Sequence, residues 1–443
     1  MVALAILVVA SPDVATAFMA VVVTAIIALT VFRYFADEVD KDFITKVFFG
    51  ALALRLGFGV FIEVFDLQNF FAGDAGTYDY IGNRLMEIWT GVPVAKDVMT
   101  QRALSTSGAG WGMNYFVGAI YLIIGRNMLA AQSICAVIGA ATAPMVFTCT
   151  QKIFQNSRAA KFSAVAIAVF PSFIIWSSQL MKDGLVIFML VLAMTMILQI
   201  QEKFSYLAAV TLVLSLFGIM TIRFYIFYMV LVAVVGSFLI GTSATIQSIT
   251  RRSIALTILG LGLTYFGVVK TGTSDLGKFA NLEAIQSSRS DLAKSANSGF
   301  GAELDVSTTD GAIIALPIGL TYLMLAPFPW QMTNLRQAIT LPEVLVWWAM
   351  IPLLVSGFWF SLRHRLRKAM PVLIFSITLT LAYSIFQGNV GTAYRQRTQI
   401  QVFLFMFIAV GWVLIKEKRE NLVLERRQKR EMFQASLADR TAQ

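Results

Sequence analysis

The chain has 443 residues, 58% of them hydrophobic and 14% charged, and its 35 Lys and Arg against 25 Asp and Glu leave a formal net charge of +10. No polar stretch is long enough to fold on its own, which excludes a soluble multidomain protein. The basic residues sit in short clusters between apolar runs, a pattern that orients membrane helices and argues against a nucleic-acid partner.

In chain order, apolar runs long enough to cross ~30 Å of hydrocarbon predict spans at 14–33, 44–65, 128–150, 162–179, 184–201, 206–222, 224–242, 254–270, 343–361, 370–386 and 398–415. With about eleven such spans, the fold class is an all-α polytopic membrane protein. The start, MVALAILVVASPD, lacks the basic segment of a cleavable signal and is expected to stay attached. Cys135 and Cys149 fall in one predicted helix, about 21 Å apart along its axis, and cannot bridge each other.

Two further apolar pieces, 111–125 and 311–328, are short or carry Pro317 and Pro327, and charge decides their treatment. If neither crosses, Lys41, Lys46, Lys152, Arg158, Lys161, Lys203, Arg251, Arg252, the run RHRLRK (363–368) and the basic tail 416–443 share one face. By the positive-inside rule that face is cytoplasmic, so both pieces are read as interfacial or re-entrant. The chain then divides into a membrane domain, 1–415, and a charged helical tail near anionic lipid. Two long outer loops follow, 66–127 and 271–342. The second is polar and rich in Gly and Ser over GKFANLEAIQSSRSDLAKSANSGFGAELDVSTTDGA and reads as a cover.

The first outer loop carries FFAGDAGTYDYIGNRLMEIW, residues 70–89. Tyr78, Ile81, Leu85, Ile88 and Trp89 recur at helical spacing with Asp79, Asn83 and Glu87 opposite, which predicts an amphipathic helix in the headgroup layer and a solvated Asp79. Asp74 sits in a Gly-flanked turn before it, where it is either an N-terminal cap or a carboxylate offered to a ligand. Lys182, Arg223, Arg395 and Arg397 fall in short outer turns, against the orienting rule. They either hold an anion or snorkel and pair locally, as Lys182 beside Asp183 allows. Arg55 lies mid-span, where a charge costs about 3 kcal/mol, and is expected to face the bundle interior or a wet cavity, either paired with Glu63 or Asp66 or in a purely structural role. The single histidine, His364, falls in the cytoplasmic run, which excludes an outer-face imidazole base or histidine zinc site. A divalent ion on Asp74 and Asp79, with Asp66 or Glu63, stays open on these residues, since Mg and Ca prefer such oxygens.

GDAGTYDYIG after a span ending LALRLGFGVF, then MNYFVGAIYLIIGRNMLAAQSICAVIGAATAPMVF and FPSFIIWSSQLMKDGLVIFML, resemble the GT-C membrane glycosyltransferases of the protein-mannosyltransferase and lipid A aminoarabinose-transferase type. LPIGLTYLMLAPFPW, the stretch Glu343 to Trp348 and FQGNVGTAYRQRTQ extend the likeness, so it covers about 44–415. The resemblance implies a GT-C-like bundle, a polyprenyl-phosphate sugar donor, Asp74 as the base toward the acceptor, and Lys182, Arg395 and Arg397 on the donor phosphate. Tyr78, Asp79, Asp183 and Glu343 are accessory candidates. Two departures bear on metal use and acceptor type: the additional span 14–33, and Asp74-Ala75 where many relatives have Asp-Glu.

The function expected is an inverting glycosyltransferase in a bacterial inner membrane, its active site facing the periplasm or exterior and its C-terminus the cytoplasm. It would move a sugar from polyprenyl phosphate to a glycan, lipid or protein. A lipid-linked oligosaccharide flippase would also need intramembrane charge, but no internal repeat is visible. A polysaccharide polymerase or ligase would depend on arginines more than on an acid.

Overall fold

The structure, a computed structural model, describes residues 12–35, 37–71, 73–93, 98–104, 110–240, 281–295, 298–332 and 335–441. The expected span 254–270, with Arg251 and Arg252, lies outside them. The helices in chain order are α1 (Pro12–Phe35), α2 (Glu38–Val64), α3 (Gln68–Phe71), α4 (Ala75–Trp89), α5 (Val98–Leu104), α6 (Gly112–Ile124), α7 (Met128–Phe154) and α8 (Ser157–Val169). They continue with α9 (Pro171–Ser177), α10 (Lys182–Glu202), α11 (Tyr206–Ile240), α12 (Leu282–Ser295), α13 (Thr309–Leu325), α14 (Leu335–His364), α15 (Leu366–Phe386) and α16 (Val390–Thr441). Among the described residues eight helices are long and apolar enough to cross a membrane, or nine if the bent pair α8 and α9 is one span. The chain is a polytopic helical protein.

Helix α11 joins two of the expected spans and is broken at Arg223, whose φ of −145° and ψ of 77° are not helical. Before the break, Gly218 lies against Met189 near the start of α10. After it, Tyr225 meets Tyr383 and Phe386 at the end of α15, while Gly236 meets Ile374, nearer its start. The second leg therefore runs antiparallel to α15. The chain turns back at Arg223, as the separate spans 206–222 and 224–242 anticipate.

The two ends of the bundle differ in chemistry. At one end Lys152 and Lys368 both pair with Glu202, Arg365 donates to Gln155, Lys161 lies 3.9 Å from Asp40, and Arg158 pairs with Glu420 on the tail. These are the basic clusters the sequence assigns to one face. The opposite end carries Asp74, Lys182, Arg223 and Arg395.

Between the ends, small residues let helix backbones approach. A Cβ placed on Gly357 of α14 would stand 1.8 Å from the Phe407 carbonyl of α16, and one on Gly411 would stand 2.0 Å from the Leu353 carbonyl. Such small-residue crossings are how helices gain van der Waals contact where lipid supplies no hydrophobic drive. The exposed Val23, Ile26 and Ile27 of α1 form the kind of apolar surface that lipid covers.

Arg55 is fully buried on α2, but neither Glu63 nor Asp66 is its partner. Its guanidinium donates to Ser177 Oγ at 2.8 Å and to the carbonyls of Ala51 at 3.0 Å, Ala168 at 3.3 Å and Ile167 at 3.3 Å. The cause lies in Pro171. Without an N–H, it cannot bond Ile167, the helix bends by 54° between α8 and α9, and Arg55 supplies the missing donors. Glu63 instead accepts from Gln68 at 3.1 Å.

The amphipathic helix forms as α4, but its apolar face is taken up by α6: Ile81 and Leu85 pack with Tyr115, and Gly82 fits against Val117. The second doubtful piece forms α13, whose Gly319 abuts the Ser384 carbonyl at the end of α15. Both helices fall short of a span.

Candidate functional site

At the end bearing Asp74 a cavity of about 730 Å³ opens between the first-loop helices, α9, the Arg223 turn, the start of α14 and the start of α16. A single antiparallel bridge, Phe300 N to Gly388 O at 2.8 Å and Val390 N to Ser298 O at 3.0 Å, ties the second loop to its rim.

Asp74 lines this cavity. Its side chain makes no cap to α4, so the capping alternative falls. About half exposed (54%), the carboxylate accepts from Arg395 Nη1 at 3.2 Å. Arg395 also donates from Nε to Asp183 at 2.7 Å, and Arg223 Nη2 donates to the other Asp183 oxygen at 2.7 Å. Asp183 is fully buried, so one carboxylate beneath the cavity floor holds two guanidiniums in place. Arg223 reaches Tyr225 Oη at 2.9 Å, and Arg395 stacks 5.4 Å from the Trp176 ring centre.

Lys182 differs from both arginines. It lines the cavity and has no ion pair or hydrogen-bond partner among the described residues. Gly110, at a φ of +92° that favours glycine, brings the returning first loop to within 3.6 Å of its Nζ, measured from a Cβ placed on that residue. Tyr78 is buried beside Asp74; burial first, then the Asp74 charge, pushes its phenol up, so it stays protonated.

Two expectations need correction. Arg397 is two residues from Arg395 but does not line the cavity. It is fully buried, donates from Nη1 to the carbonyls of Ala326 at 2.9 Å and Met324 at 3.1 Å, and stacks between Trp347 and Tyr394. Those carbonyls end α13, so Arg397 satisfies a helix C-terminus. Asp79 is not solvated: it is buried, accepts from Tyr121 Oη at 2.6 Å and pairs with Arg126 Nη2 at 2.6 Å. Its oxygens are engaged away from Asp74, Asp66 and Glu63 do not line the cavity, and no group of three or more His, Cys, Asp or Glu converges as metal ligands among the described residues.

Glu343 does line the cavity, as do residues the sequence did not single out: Arg336, Trp176, Tyr225, Tyr394 and Gln396. Arg336 donates to the Asn69 carbonyl at 3.1 Å and stacks 5.0 Å from Phe70, linking the two outer loops. It was legible as one more base on the outer side, but the orienting rule is weak in long loops. Lys182, Arg223, Arg336 and Arg395 thus face the space, against Asp74 and Glu343. A polar mouth with this surplus of fixed cations suits an anion such as phosphate, and the free Asp74 oxygen suits a hydroxyl donor.

No protein-family model matches the chain, and no curated protein matches it by sequence. Among solved structures it is similar to the crystal structure of ArnT from Cupriavidus metallidurans bound to undecaprenyl phosphate, at 14% identity and a TM-score of 0.48. The match covers 76% of this chain and 55% of that one, so the chain spans about half the length of the solved structure it resembles.

Proposed function

We propose that the chain is a membrane glycosyltransferase that takes a sugar from polyprenyl phosphate and passes it, with inversion, to an acceptor hydroxyl on the outer face of a bacterial inner membrane. The observation that carries this reading is the cavity shared by Asp74, Arg395 and Lys182, in which Arg395 reaches Asp74 and Lys182 has no partner among the described residues. Asp74 takes the proton from the acceptor hydroxyl, the acceptor oxygen attacks the anomeric carbon, and the bond from that carbon to the phosphate oxygen breaks. Polyprenyl phosphate leaves with its growing charge held by Lys182, Arg395 and Arg336 in a partly dry space. Because Asp183 anchors Arg395 independently, Arg395 can give up Asp74 to a bound phosphate without losing its place. The acceptor is a glycan, lipid or protein of the envelope, and the tail end of the bundle lies in the cytoplasm.

The test is mass spectrometry of lipid-linked sugars and envelope glycans from cells with and without the gene. Accumulated polyprenyl-phosphate monosaccharide beside an under-modified glycan supports the assignment, and unchanged pools overturn it. A second reading, a polysaccharide ligase or polymerase, draws on the three arginines at the cavity. It predicts that Asp74→Asn keeps full activity while Arg395→Ala abolishes it.

A further inference from the structure

Glu343 is the second carboxyl of the cavity and the mechanism above does not use it. It sits on α14, directly after Pro342, and is 4% exposed. Its Oε1 accepts from Ser172 Oγ at the start of α9, and Ser172 Oγ in turn lies 2.9 Å from Tyr394 Oη on α16. Three helices thus fix the carboxyl in one orientation. Its other oxygen, Oε2, is buried with no hydrogen-bond partner among the described residues. Among the described residues no basic side chain forms an ion pair with Glu343: the Arg397 guanidinium on α16, whose charge still acts on it, hydrogen-bonds to the carbonyls of Met324 and Ala326.

A buried carboxyl oxygen without a donor is costly, and native proteins keep few of them. One that lines a cavity is explained when a ligand brings the donor. The surroundings narrow what that ligand is. Pro171, Ile339, Pro342 and Tyr394 line the same cavity, an apolar and aromatic contribution that suits the faces of a sugar ring. Lys182, Arg223 and Arg395 come from α10, the Arg223 turn and the first turns of α16; Arg336 shares α14 with Glu343 but sits two turns earlier, where it donates to the Asn69 carbonyl. A carboxylate there repels phosphate and accepts from hydroxyls.

We infer that Glu343, oriented by Ser172 and Tyr394, is the sugar subsite of this cavity: its free Oε2 accepts from a hydroxyl of the donor's sugar ring and so separates sugar-loaded carrier lipid from bare polyprenyl phosphate. This rests on the glycosyltransferase reading but concerns a different contact, so the two fail separately. A site built to accept from a hydroxyl discriminates strongly against a ligand that lacks one, because the buried acceptor then goes unpaired.

The experiment is native mass spectrometry of the purified full chain in detergent. The probe is a mixture of bare undecaprenyl phosphate and the polyprenyl-phosphate monosaccharide fraction extracted from membranes of the source cells. The chain itself is expected to enrich the sugar-loaded lipid at least tenfold over bare lipid. Glu343→Gln keeps the size of the side chain and an acceptor for Ser172, so it is expected to hold bare lipid as the unchanged chain does but to lose most of the enrichment. Ser172→Ala, which frees the carboxyl to rotate, is expected to lose part of it. Undiminished enrichment in Glu343→Gln overturns the subsite, as does equal binding of both lipids by the unchanged chain. Failure of the unchanged chain to hold either lipid removes the donor reading itself. If Glu343→Gln does not fold, the Ser172→Ala result decides, and full enrichment there overturns the proposal.

Discussion

Asp183 and Arg395 meet through a 2.7 Å hydrogen bond at the floor of the cavity, and the same guanidinium reaches Asp74 at 3.2 Å. The buried acid therefore positions the cation that touches the exposed one. With Arg223 on its second oxygen, Asp183 compensates one buried charge and one that is partly open to the cavity. Asp183→Asn strands the buried Arg223 and leaves Arg395 only its contact with Asp74, and breaking a buried pair costs about 3 to 5 kcal/mol. The thermal midpoint of the detergent-solubilised chain is expected to fall accordingly. Asp42→Asn, which breaks an exposed pair with Lys46, should move it little, since such pairs contribute at most about 1 kcal/mol. Equal midpoints for the two variants would remove Asp183 from this structural role.

Asp74 presents the opposite case. Its side chain is half exposed and caps nothing, so Asp74→Asn is expected to insert and fold with an unchanged midpoint. Under the proposed function, sugar transfer falls by about 10²- to 10⁴-fold, the usual contribution of a positioned general base. Transfer assays on the purified variant check this, and a rate equal to that of the unchanged chain excludes Asp74 as the base.

Lys182 and Arg397 separate donor binding from stability. Lys182→Ala removes a cavity cation that has no hydrogen-bond or ion-pair partner among the described residues. Polyprenyl phosphate binding should weaken by about ten- to a hundredfold, the value of a hydrogen bond to a charged group. Arg397→Leu leaves the end of α13 without its donor, so it should lower the midpoint while the folded fraction binds the lipid normally. Binding titrations paired with thermal unfolding distinguish them, and a binding defect confined to Arg397→Leu would reverse the two roles.

The sequence carried much of this arrangement, and its failures have physical causes. Spans were legible because length and apolarity alone set what crosses a bilayer, and Arg223 marked its turn by being basic between two apolar runs. Asp74 was legible as a site candidate because the Gly-flanked turn left it two uses, and only the coordinates could decide between them. Arg397 was not separable from Arg395 by spacing alone: positions two apart point away from each other on a helix, yet Tyr394 and Gln396, also two apart, both line the cavity, so the packing of α16 decides which residues reach it. Asp79 could not have been read so. Periodicity gives its angle on α4, but its partners Tyr121 and Arg126 lie more than forty residues away, at the end of a helix whose packing the sequence does not state. Glu343 appeared only as part of a resembling block; its free oxygen is a property of three helices meeting.

Arg55 offers a test of why a charge sits inside the bundle. If it serves the carbonyls that Pro171 leaves open, the cost of removing it depends on that proline. Arg55→Leu alone leaves the Ile167 and Ala168 carbonyls without their side-chain donor, at about 1 to 3 kcal/mol for each group left unpaired. Pro171→Ala restores an N–H four residues after Ile167 and lets the helix close its own bond. In that background Arg55→Leu is expected to cost markedly less, a coupling of 0.5 kcal/mol or more in a double-mutant cycle at the ~1 kcal/mol scale of contacting residues. Unfolding midpoints of the four chains measure it. Strict additivity would mean that Arg55 acts through Ser177 and Ala51 alone, and the proline break would need another account.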